Sequence, residues 1–104
     1  MKVVDLKAEL EKLETSGKIS TQNVEVITAG QKYFIENIDI TSDLVTLKVT
    51  RRNFIPNGPR TLLSNLKNAS EGAEISILNT DKNQTTKIEG IFHSNNSVEI
   101  TTQA

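Results

Sequence analysis

The chain of 104 residues has no cysteine and no tryptophan, only one histidine, two prolines and five glycines. Without cysteine there can be no disulfide, no thiolate metal ligand and no thiol nucleophile. With His93 as the only imidazole, a zinc site would have to draw on carboxylates or on several subunits. No G-x-S-x-G, P-loop or dinucleotide-binding glycine pattern occurs. Long apolar runs are missing as well. No segment approaches the roughly 18 residues of a membrane span. The opening MKVVDLKAELEK lacks the apolar run of roughly seven or more residues that a secretory signal requires. The formal net charge is -1, so no global field steers the protein to nucleic acid or to a membrane. A cytoplasmic protein without membrane association is the expectation, with no cofactor, no metal and no catalytic residue to name. The sequons at Asn68, Asn83 and Asn95 read as chance matches in a chain rich in Asn and Thr.

What is present is an ordered alternation of patterns. Ten Asn and twelve Thr favour turns and strands over long helices. Leu6, Leu10 and Leu13 recur at helical spacing, with Asp5 placed to cap the helix or to face its dipole and Gly17 able to end it. Val24, Val26 and Ile27 mark a strand, and Gly30 a turn. Phe34, Glu36, Ile38 and Ile40 fall on one face by alternation, followed by a turn at 41–43 and a strand through Val45, Leu47 and Val49. The second half runs in the same order. A short helix begins near Pro59 and carries Leu63 and Leu66. Strands then pass through Ile75 and Ile77, through TKIEGIFH, and through Val98 and Ile100.

The halves align at an offset of 53 residues. Leu10 and Leu13 fall on Leu63 and Leu66, Ile35-Glu36-Asn37-Ile38 on Ile88-Glu89-Gly90-Ile91, and Val45 and Leu47 on Val98 and Ile100. Val24 and Val26 match Ile75 and Ile77 through compensating changes in loop length, as a duplication would leave. The predicted fold class is α+β: one domain, 1–104, made of two αβββ repeats (3–49 and 59–102) about a pseudo-two-fold axis and joined by a linker at 50–58. Each repeat has one short helix and an antiparallel sheet. One such unit is marginal alone, so the two should share a core, as a continuous six-stranded sheet or as two facing sheets. Exposed sheet edges would remain. Strand addition by a second copy would close them, which leads to the expectation of a homo-oligomer.

The linker region, TRRNFIPNGPRT, holds all three arginines and both prolines. No Asp or Glu occurs from Leu44 to Ser70, while Lys48, Arg51, Arg52, Arg60 and Lys67 do. Pro59 suits the first position of a helix, with Asn57 or Gly58 near the cap. Asp5 at the first helix start corresponds to Gly58, so the second helix supplies no anion of its own next to Arg60. Arg51, Arg52, Phe54, Asn57, Gly58 and Arg60 are therefore the candidate anion- or partner-binding residues, with Phe54 able to stack on a base or anchor in a partner's pocket. The equivalent Glu36 and Glu89 could meet on the pseudo-axis as an acid/base pair. His93 takes the place of Ile40 and should point to the core.

VVDLKAELEKL, then VEVIT, then IENIDI and DLVTL, resemble a broad set of small phage and mobile-element proteins. In these a D-L-x-x-x-L-x-x-L helix precedes a V-x-V strand and a short meander. The resemblance spans residues 3–49 and carries over no functional residue. It implies a small phage- or prophage-derived accessory protein that acts by binding. The expected function is that of a non-enzymatic binding or adaptor protein, working through protein–protein contacts or by sequestering a small anionic ligand. The alternative is a nucleic-acid-binding accessory protein that uses Arg51, Arg52 and Arg60.

Overall fold

The computed structural model describes residues 1–15, 23–52, 59–93 and 97–103. Helix α1 (Val3–Thr15) is followed by strands β1 (Asn23–Thr28), β2 (Gln31–Ile40) and β3 (Leu44–Thr50). Helix α2 (Pro59–Leu66) is followed by β4 (Glu74–Asn79), β5 (Gln84–His93) and β6 (Ser97–Thr102). The expected element order holds. The six strands form one continuous sheet, one of the two arrangements expected, but it closes on itself. Its six strands follow one another in chain order around a closed barrel. β3 pairs with β4 and β1 with β6, both in parallel, and the other four pairings are antiparallel. These parallel seams consume the edges left open by two separate meanders, and with them the reason to expect strand addition by a second copy.

Local chemistry explains the start of α1. The Asp5 carboxylate accepts from the Lys2 backbone N–H at 3.4 Å, and the Val3 and Val4 N–H groups donate to the Ala73 and Glu71 carbonyls. Donors that a helix start leaves orphaned are thereby tied to the chain entering β4. Val3, Leu6 and Leu10 of α1 are buried with Leu62, Leu63 and Leu66 of α2, in the same cluster as Val26, Leu47, Ile77 and Ile100 of the barrel. Each fully buried aliphatic side chain of this kind contributes about 1.5–3 kcal/mol relative to exposure. α2 begins at Pro59, as the sequence implies, and has no acidic residue in its first turn.

Alternation fails at matching places in β2 and β5. Tyr33 and Ile35 are buried, Phe34 is half-buried, and Glu36 and Asn37 are exposed. Ile35 pairs with Val49 and Asn37 with Lys48, so Glu36 is an extra residue in a β-bulge. The bulge shifts the parity of the strand. Tyr33 and Ile35 face inward before it, Ile38 and Ile40 after it. Phe34 and Glu36 therefore do not share the inner face with Ile38 and Ile40, contrary to the simple period of two. β5 has the same irregularity between Ile88 and Gly90, 53 residues on. The remaining registers correspond too: Glu25 with Phe34 and Ser76 with Lys87, and Val45 with Ile75 and Val98 with Val24.

Two turns shape one end of the barrel. Thr28 pairs with Gln31, and the intervening Ala29 and Gly30 have φ of 50° and 75°, the signs a type I′ hairpin demands. The β4–β5 connection is longer, residues 80–83. There the buried Asn79 accepts on Oδ1 from the Asp81 and Lys82 N–H groups at 3.1 and 3.2 Å, and Asn83 has a φ of 51°.

Candidate binding site at one rim of the barrel

The strand directions gather the polar features. β1, β3, β4 and β6 run the same way and end at one rim, where β2 and β5 begin. That rim carries both hairpin turns, Arg51 and Arg52 just beyond β3, and Gln103 just beyond β6. Asp81 ties the turn of 80–83 to the end of β3. Its Oδ2 accepts from the Arg51 N–H at 2.8 Å and its Oδ1 from the Thr50 hydroxyl at 3.0 Å. Thr80 adds its own N–H and hydroxyl, both donating to the Val49 carbonyl at 3.0 Å. The Arg51 N–H, then the Thr50 hydroxyl, hold the Asp81 carboxyl below its ordinary value. Desolvation opposes the shift, and the Arg52 and Arg51 charges assist it.

This changes the basic stretch as read from the sequence. The acids that seemed to be elsewhere are brought to it by the fold. Lys48 pairs with Asp39 at 2.8 Å, and Asp81 sits at the root of Arg51. The backbone of Arg51 and Arg52 is consequently held, while their side chains are exposed. Among the described residues neither guanidinium forms an ion pair, and nor does the exposed Lys82 in the facing turn. Three cations thus cluster with Asp81 at the rim, and the Glu36 carboxylate reaches Thr80 beside them.

Of the other candidates, Phe54, Asn57 and Gly58 lie outside the described residues. Arg60 is in the first turn of α2, with its side chain outside them. The structure brings Arg51 and Arg52 together with Asp81, Lys82 and Asn79, which sequence reasoning missed. The signal was T-D-K-N after a strand, but using it required knowing that β3 and β4 lie side by side. Glu36 and Glu89 do not meet. Both are exposed at bulges of β2 and β5, three strands apart around the barrel, and a Glu36 carboxylate oxygen lies 3.3 Å from the Thr80 hydroxyl. His93 ends β5 opposite Val98, and its side chain lies outside the described residues.

The same rim opens into a pocket of about 360 Å³ lined by Thr28, Ala29, Asn79, Gln84, Thr86 and Gln103, among others. Among the described residues no charged side chain lines it. Among the described residues no group of three His, Asp or Glu side chains could hold a metal ion, and no helix is long and apolar enough to cross a membrane. The chain matches no protein-family model, no curated protein and no solved structure. No such match stands behind the resemblance to small phage and mobile-element proteins.

Proposed function

We propose that this protein works by binding, as an adaptor or sequestering protein, and that it engages an anionic group, phosphate or carboxylate, through Arg51 and Arg52 with Lys82 beside them. One observation carries the reading: the backbone of both arginines is anchored, Arg51 to Asp81 at 2.8 Å and Arg52 to Thr50 at 3.4 Å, while the guanidinium groups are left without an ion pair among the described residues. Anchored roots reduce the ordering cost of binding, and each charge-assisted hydrogen bond to an anion contributes roughly 1.5–3 kcal/mol. We also read the two halves as copies of one αβββ unit. The matched bulges and registers support this, and the basic rim is then a feature of one copy's end and not of both.

Calorimetric titration of inorganic phosphate and of an Asp/Glu-rich peptide, at low and at physiological salt, tests the reading. The expected result is saturable binding that weakens by at least about tenfold in the Arg51→Ala/Arg52→Ala variant, since tenfold corresponds to about 1.4 kcal/mol. Equal affinity in variant and parent overturns it. Tight binding of single-stranded DNA with a steep salt slope, and none of the peptide, would move the site to nucleic acid. Three cations fall short of the roughly 6–10 phosphate contacts behind the steepest slopes.

A further inference from the structure

The two halves of the barrel are alike in register but not in what fills the lumen at the rim. In the first half Tyr33 stands opposite Val26, and Val49 opposite Ile35. The matching pairs in the second half are Thr86 opposite Ile77, and Thr102 opposite Ile88. Tyr33 is 1% exposed and occupies its side of the lumen. Thr86 is far smaller, and it lines the pocket. An aromatic ring on one side is thus replaced by a hydroxyl beside the opening on the other.

We infer that this end of the lumen is a binding site for a small uncharged molecule rich in hydroxyl groups, of monosaccharide size. The lining points to a ligand of that chemistry. Thr28, Asn79, Gln84 and Thr86 supply donors and acceptors and no charge. That lining offers an ion no counter-charge and a hydroxyl group several partners. Asn79 is 4% exposed and its Oδ1 is engaged by two N–H groups of the turn, which fixes the carboxamide and leaves its amino group as a donor. The Thr86 hydroxyl donates to the Gln103 carbonyl, so its lone pairs remain as acceptors. The pocket's 360 Å³ is near the small end of ligand sites, which span roughly 300–1,000 Å³.

Saturation-transfer NMR with glucose, galactose and mannose, each set against the cationic glucosamine, tests the inference. Saturable contact with at least one neutral hexose is expected, with glucosamine about tenfold weaker or worse. Thr86→Tyr installs the residue of the first half and should abolish the contact, with the amide spectrum confirming the fold. Should that variant fail to fold, Thr28→Val removes one lining hydroxyl and should weaken binding by about threefold or more. The inference is overturned if no neutral hexose saturates, if glucosamine binds as well, or if a folded variant binds undiminished.

Discussion

Replacing Thr102 by valine should stabilise this protein. The side chain is 6% exposed in the inner layer of the barrel, and its hydroxyl lacks a partner among the described residues. Valine has nearly the same shape, so the exchange opens no cavity and removes one buried polar group. Leaving a buried hydroxyl unpaired costs roughly 1–3 kcal/mol, and part of that is recovered by relaxation, so a gain of about 1–2 kcal/mol is expected. Valine already occupies the matching position at Val49, where it is buried. For a domain near this size, each kcal/mol raises Tm by about 4–8 °C. Urea unfolding followed by circular dichroism should show a higher midpoint with an unchanged slope. The control Thr102→Ser keeps the hydroxyl, loses a methyl and should cost about 1 kcal/mol. If Thr102→Val is instead destabilised by more than about 0.5 kcal/mol, the hydroxyl is paired and the reasoning fails.

Two further outcomes follow from the same rim. Ala29 holds a φ of 50°, a conformation that costs a side chain about 1–2 kcal/mol. Relief of that strain outweighs the added chain entropy of glycine, so Ala29→Gly should gain about 0.5 kcal/mol in the same urea assay. The Asp81 carboxyl is held below its ordinary value of 3.8 by the Arg51 N–H and the Thr50 hydroxyl. A depressed carboxyl pKa stabilises the fold above the unfolded value, and that contribution is lost as pH falls through the folded value. Asp81→Asn should therefore lower stability at neutral pH. The stability difference between it and the parent should shrink as the pH drops below about 3.8, as acid-limb unfolding curves would show.

How far the sequence reached depended on whether a feature was local. The helix start at Asp5, the helix start at Pro59 and the strand–turn–strand order rest on neighbours a few residues apart, and all were legible. The inner face of β2 was not. A bulge adds one residue at Glu36 and reverses the parity, and alternation alone cannot show where that happens. Closure of the barrel was hidden for a related reason, because parallel seams between β3 and β4 and between β1 and β6 carry no turn signature. The rim followed from those seams. Arg51 meets Asp81 across 30 residues of chain, so a stretch without acids in sequence is not a stretch without acids in space. Phe92 is a smaller instance. Its ring lies within 3.1 Å of where a Cβ on Gly90 would be, which gives that glycine a role that alternation alone could not assign.

The central claim is that the anchored arginine rim is where this protein meets its partner's negative charge. Amide chemical-shift mapping during a phosphate titration of the unmodified protein tests it most directly. The account predicts saturable shifts concentrated on Arg51 and Arg52 and on residues 80–82, with the bulge at Glu89 unmoved. Shifts centred elsewhere, or none at the rim, would contradict it.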